Sequence, residues 1–169
     1  MTKAPDLSAE YVRARLNYDP DTGAFTWKSN TPNMQRYVGR AAGTKHCQGY
    51  RAINIDCWPF LAHRLAWLIT FGEWPKRHID HINGDRTDNR LANLRDVPQD
   101  WNSQNLRKAK SKRPGALLGA YPTQRGGKQW RAIIQIDGRS TTLGYFDTEQ
   151  EAHLAYLAVK REAHPGCVI

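Results

Sequence analysis

The chain has 169 residues, enough for one ordinary domain or two small ones, and 40% of them are hydrophobic, enough for compact cores but not a large one. A formal net charge of +9 favours polyanionic partners, nucleic acid ahead of an anionic membrane surface. Three cysteines without a CxxC pair argue against a disulfide framework and a four-cysteine zinc site. No run approaches membrane-spanning length, and the N-terminal MTKAPDLSAEYV lacks the apolar region of a secretion signal. The expectation is a soluble cytoplasmic protein with no membrane partner.

In chain order, Ser8 can cap a first helix, with Glu10 in its first turn and Leu7 and Val12 as a hydrophobic staple. That helix is expected to end near Asn17, before the turn signal Asp19-Pro20-Asp21-Thr22-Gly23. Ala24 to Lys28 reads as a strand and Ser29 to Gly43 as loop. Gly49 to Asp56 alternates as a strand, and a turn near Asp56 to Pro59 returns the chain as Phe60 to His63. That hairpin feeds a helix over HRLAWLITF, His63 to Phe71, stopped by Gly72 and Pro75. His78 to Ile82 is strand-like, Asn83 to Asn93 is a polar loop, and Leu94 to Val97 is a second strand. Pro98 suits the first turn of a helix running to about Arg107.

KAKSKRPG, residues 108–115, is a basic linker. Beyond it three short strands are expected, over Leu117 to Pro122, Gln129 to Ile136 and Arg139 to Tyr145. Thr148 and Glu151 form a capping box for a last helix with the apolar stripe Ala152, Ala155, Tyr156 and Val159. No acidic residue occurs from Trp101 to Ile136, while Arg107, Lys108, Lys110, Lys112, Arg113, Arg125, Lys128 and Arg131 do. One-signed charge over that length repels itself unless a polyanion neutralises it, so these residues are read as tracking phosphates.

The stretch IDHINGDRTDNRLANL carries the chemistry. Asp80 and His81 are neighbours on a strand and so point to opposite faces. Asn93 follows His81 by twelve residues and Asn102 by twenty-one, and strand, loop, strand and helix folded together could gather all four. Phosphodiester hydrolysis needs a base for water, which a neutral imidazole near its pKa supplies, and stabilisation of the leaving oxygen, which a hard cation supplies. One carboxylate, Asp80, and one amide oxygen, Asn102, match the oxygen preference of Mg²⁺ rather than zinc's preference for nitrogen and sulfur. A structural zinc on His63, His78, His81 and Cys57 is not expected, because no pair has finger-like spacing. His63 is read as either orienting something near the site or packing beneath its helix; His46, His153 and His164 are read as surface residues.

From His63 to Asn105 the pattern HRLAW…IDHINGD…DNR..NLR……N..N resembles the HNH nucleases of phage and of mobile introns, and YDPDTGAFTW…GYRAINI resembles the segment that precedes it in the phage proteins. The resemblance implies a ββα-metal fold in which His81 is the general base, Asp80 and Asn102 hold Mg²⁺ or Mn²⁺, and Asn93 braces the loop and orients the base. It also implies a homing-type enzyme acting on double-stranded DNA in a bacterial or phage-infected cell.

Leu118 to Ala163, through KQWRAIIQIDGRSTTLGYFDTEQEAHLAY, resembles the ethylene-response-factor (APETALA-two) DNA-binding domain, which implies a three-stranded antiparallel sheet on one helix with the other sheet face toward DNA. By alternation, Trp130, Ala132, Ile134 and Ile136 face the helix, while Arg131, Ile133 and Gln135 face outward, with Tyr121, Thr123, Ser140 and Thr142 on neighbouring strands. Arg and Gln suit guanine and adenine edges. The combined reading is an α+β protein: a nuclease domain with an N-terminal helix and hairpin over 1–107, a basic linker over 108–116, and a DNA-reading domain over 117–169. The alternative is a DNA-binding regulator or architectural protein that does not cut.

Overall fold

A computed structural model describes residues 5–28, 32–99, 101, 109, 114–123, 129–136, 138–164 and 166–167. Two compact units divide the chain, Met1–Pro98 and Gln99–Ile169. Most of the expected basic linker and of the expected 98–107 helix lies outside the described residues; Gln99 and Trp101 are helical.

In the N-terminal unit, helix α1 (Ala9–Arg13) starts as expected: the Ser8 hydroxyl accepts the Tyr11 N–H at 3.2 Å, and Leu7 and Val12 are buried. The helix stops at Arg13, short of the expected Asn17. Residues 16–18 instead form β1 (Leu16–Tyr18), antiparallel to β2 (Phe25–Trp27), with Leu16 opposite Trp27. Pairing buries Leu16 and satisfies the backbone that a longer helix would have used. The Asp19 carboxylate closes the turn by accepting from the Asp21 N–H and the Thr22 hydroxyl.

Strands β3 (Thr44–Lys45), β4 (Arg51–Ile55) and β5 (Trp58–Leu61) make an antiparallel sheet with β4 at its centre. The turn between β4 and β5 is tighter than the sequence suggests. Asp56 and Cys57 both take left-handed φ, 51° and 67°, so two residues suffice and Pro59 falls inside β5 opposite Asn54. Helix α2 (Ala62–Phe71) follows directly and ends on Gly72 at φ 81°. The buried side chains of α1, β1, β2, β4 and α2 form one cluster that includes Val12, Phe25, Ile53, Ile55, Leu65 and Leu68. Ile79 and Leu94 join it from the antiparallel pair β6 (His78–His81) and β7 (Leu94–Val97).

In the C-terminal unit, β8 (Ala120–Pro122), β9 (Trp130–Ile136) and β10 (Arg139–Phe146) form an antiparallel sheet with β9 central. Helix α3 (Glu149–Ala163) packs on it, and the Thr148–Glu151 capping box is present. Ala132 and Ile134 are buried against Ala152 and Tyr156, as alternation requires. Two histidines read as surface residues are tied into this unit instead: the His164 ring bonds the Gln135 carbonyl at 2.8 Å, and the His153 ring bonds the Leu118 carbonyl at 2.7 Å. Both sit where a helix face meets the sheet and its approach, and an imidazole there satisfies a carbonyl that the ladder leaves over.

The mixed composition of small antiparallel sheets and few helices is α+β, as expected. One glycine fixes the N-terminal unit around its polar loop. Gly23 has φ 72°, and a Cβ there would lie 2.5 Å from the Arg90 nitrogen and 2.6 Å from the Asn89 carbonyl carbon. Both obstacles are backbone, so neither can swing aside. Gly23→Ala is therefore expected to destabilise this unit by roughly 2–4 kcal/mol, combining overpacking with the left-handed penalty. Urea denaturation of the variant against the parent measures it, and a change under 0.5 kcal/mol would contradict the packing.

Candidate active site

The β6–β7 pair sets the site. In its register Asp80 stands opposite Arg95 and His81 opposite Leu94. Strand alternation then sends Asp80 and His81 to opposite faces. On one face, Nε and Nη2 of Arg95 donate to Oδ2 of Asp80 at 2.9 and 2.7 Å. On the other, His81 meets two further rings. The His63 ring, on the first turn of α2, stands edge-on to it with centroids 5.1 Å apart at 89°. Tyr50, just before β4, lies 5.8 Å from His81 and 5.0 Å from His63.

These groups are dry: His63, Asp80 and His81 are 5%, 4% and 4% exposed. Burial acts hardest on the imidazoles, because it disfavours the charged ring. It pushes His63 down to about 3, with the neighbouring His81 and Arg64 acting the same way. Burial also lowers His81, against the opposing pull of the Asn89 amide, Asp80, Asp85 and Asp88. Both rings are held neutral at pH 7, the state a proton acceptor requires.

The loop between the strands is closed by Asn93. Its Oδ1 accepts the Asn83 N–H at 2.9 Å, its Nδ2 donates to the Asp88 carbonyl at 2.9 Å, and its own carbonyl accepts the Ile82 N–H at 2.9 Å. Asn89 is wholly buried: its Nδ2 donates to the Thr87 carbonyl, and its carbonyl accepts the Tyr18 hydroxyl at 2.7 Å. The loop carboxylates are taken up by partners within the loop. Asp85 accepts from the N–H and hydroxyl of Thr87. Asp88 takes Arg90 and Asn83, and the Arg90 hydrogen bond holds its carboxyl down at about 2.

Of the two expected metal ligands, Asp80 is at the site and Asn102 lies outside the described residues. No cluster of three His, Cys, Asp or Glu side chains converges among the described residues. The donor chemistry present still fits a hard cation better than zinc: a buried carboxylate is on hand, and the imidazoles stand on the opposite strand face. A cation at Asp80 would share that carboxylate with Arg95.

The expected DNA-facing residues divide in the same way. Lys108, Lys110, Lys112, Arg113, Arg125 and Lys128 lie outside the described residues. Arg131, Gln135, Tyr121, Ser140 and Thr142 are exposed on the sheet, and Thr123 is partly so. Arg131 pairs with Tyr121 on one side and Tyr145 on the other; Gln135 pairs with Ser140, and Ile133 with Thr142. Tyr145 enters this row because the β10 register shifts between Thr142 and Gly144. A bulge inverts the side-chain parity beyond it, and no alternation read along the sequence anticipates that.

Sequence reasoning also passed over Tyr50, Arg86 and Arg95. The Arg95 pairing was recoverable, since two antiparallel strands joined by a closed loop fix which residue stands opposite Asp80. Nothing local marks Tyr50 or Arg86, because each gains its place from side chains or carbonyls on other elements of the unit. His63, left open between orienting and packing, is in ring contact with His81.

A depressed histidine has a stability consequence. Between pH 6.5 and about 3 the unfolded chain protonates His63 while the folded chain does not, so stability rises with pH across that window and is lost as pH falls. At pH 4 the loss attributable to His63 is roughly 3 kcal/mol. His63→Phe is expected to flatten the decline between pH 7 and pH 4 by that order in denaturant titrations; an equal decline in both proteins would show that the ring is not desolvated.

A protein-family model described as HNH endonuclease matches residues 60–107, the span that holds His63, Asp80, His81 and Asn93. No curated protein and no solved structure matches the chain. This segment is thus similar to HNH endonucleases, a family whose chemistry is the cutting of DNA.

Proposed function

We propose that the chain is a metal-dependent endonuclease that hydrolyses DNA phosphodiester bonds, with Asp80, His81 and Asn93 of the N-terminal unit at its catalytic site and its sequence preference supplied by the C-terminal sheet. The observation that carries this is His81: a buried neutral imidazole, fixed at a strand end against two other rings, within a segment similar to HNH endonucleases. His81 takes the proton from the attacking water. Asn93 does not touch the reacting atoms; it holds the loop that frames His81. Asp80, together with Asn102, would hold a divalent cation, Mg²⁺ or Mn²⁺. Such an ion supplies charge stabilisation at the leaving oxygen. Arg95 orients the Asp80 carboxylate by two hydrogen bonds to one oxygen.

On the C-terminal sheet, Arg131 stands between two tyrosines, with Gln135, Ser140 and Thr142 further along the same face. Arg131 on this open face is placed to read a base edge, and the basic segment around residues 108–113 would run along phosphates.

Supercoiled plasmid incubated with the protein and Mg²⁺ is expected to become nicked or linear, and to stay supercoiled in EDTA. His81→Ala is expected to cut ~10²–10⁴-fold more slowly with DNA binding retained. A His81→Ala protein cutting at the parent rate would refute the assignment of the base. Binding without any cutting by the parent would favour the non-cleaving regulator. Arg131→Ala is expected to cost about 1–3 kcal/mol of discrimination between a preferred and a scrambled duplex. Competition binding measures this, and an undiminished preference would remove the sheet from recognition.

A further inference from the structure

Arg86 stands out among the basic side chains of the N-terminal unit. It belongs to the β6–β7 loop, in the run Gly84-Asp85-Arg86-Thr87, and its backbone neighbours are turn-formers rather than strand residues. Its head is tethered at two points. Nη1 donates to the Gln48 carbonyl at 2.7 Å, and the guanidinium carbon lies over the Tyr50 ring, 4.9 Å from the centroid. A carbonyl and an aromatic face thus fix the plane of the fork from two sides.

Two features say what that fork is for. The first is charge. Asp85 is bonded to Thr87, and Asp88 to Arg90 and Asn83, so the acidic residues nearest in the loop are turned to other partners. Among the described residues Arg86 has no carboxylate in salt-bridge range. A guanidinium fixed in this way, with its charge uncompensated, offers its remaining N–H groups to an anion with two oxygens. The second is place. The Tyr50 ring beneath Arg86 is the same ring that contacts His63 and His81. One aromatic side chain therefore joins the cation to the imidazole.

We propose that Arg86 binds the scissile phosphodiester group itself, its fork on the non-bridging oxygens, where charge grows as water attacks. The assignment rests on the reading of His81 as the base of a DNA hydrolase. Its physical sense is electrostatic: the reacting phosphate gains negative charge in the transition state, and a cation pre-set by Tyr50 and the Gln48 carbonyl needs no reorganisation to meet it.

The test uses the full chain with three substitutions: Arg86→Gln, which can still donate to the Gln48 carbonyl; Arg86→Lys, which keeps the charge but loses the fork; and Arg86→Ala. DNA affinity is read by fluorescence anisotropy at several salt concentrations in EDTA, and turnover by plasmid cleavage in Mg²⁺. Arg86→Gln and Arg86→Ala are expected to make the log K against log salt slope shallower by about 0.9, one phosphate contact. They are expected to lower kcat by roughly 10²-fold or more. Arg86→Lys is expected to keep the parent slope yet cut at least about ten-fold more slowly, because a single ammonium cannot span two oxygens. Parent slope and parent rate in Arg86→Gln would overturn the proposal. A shallower slope at the parent rate would also overturn it, by moving the contact to a flanking phosphate. Loss of rate in Arg86→Gln with an unchanged thermal unfolding temperature separates the role from a structural tie between the loops. The salt slope is read without turnover, so a protein that fails to cut at all would sink the hydrolase reading while the phosphate contact is still scored.

Discussion

The side-chain amide of Asn93 closes the excursion between β6 and β7, residues 82–93, from both sides at once, one oxygen on Asn83 and one nitrogen on the Asp88 carbonyl. An asparagine suits this because it presents a donor and an acceptor in one rigid plane; an aspartate would lack the donor and a leucine both. With the loop closed, β6 and β7 are held in the register that puts Asp80 opposite Arg95 and His81 opposite Leu94. Without it, the loop would keep only the short-range ties among Asn83, Asp85, Thr87, Asp88 and Arg90, and closing it would carry more of the entropic cost of a free loop. The hairpin at Tyr18 and the glycine at position 23 lean on the same loop from outside, through the Asn89 carbonyl and the Asn89–Arg90 backbone.

That clasp also explains how one short motif serves two unlike environments. Asp80 sits in a charged niche, paired with Arg95; His81, one residue on, sits among aromatic rings. Strand pleating separates them, so the carboxylate keeps its guanidinium partner on one face while the imidazole stays neutral on the other. A helix would have placed neighbours about 100° apart and mixed the two environments.

The sequence was most legible where the signal was local. Strand alternation marked Ala132 and Ile134, and the capping residues Ser8 and Thr148 placed helix starts that the structure reproduces. It was least legible where a partner decided the outcome. Residues 13–17 could continue a helix until β2 offers Leu16 a ladder, and Tyr50 looks like any strand aromatic until α2 and β6 bring two histidines to it. Motif spacing identified Asp80, His81 and Asn93 as a group, but not that the guanidinium facing Asp80 would be Arg95, nor that Arg86 would lie across Tyr50. Long-range ring and charge contacts of this kind leave no periodicity behind them.

The irregularity in β10 bears on how such a surface can change over time. With the register shift between Thr142 and Gly144, the residues that share the open face of the sheet are even-numbered before it and odd-numbered after it. Loss or gain of one residue there would leave the buried Ala132 and Ile134 of β9 undisturbed while exchanging which of Tyr145 or its neighbours stands beside Arg131. A lineage could thus trade one set of outward side chains for another in a single insertion or deletion, without rebuilding the core beneath.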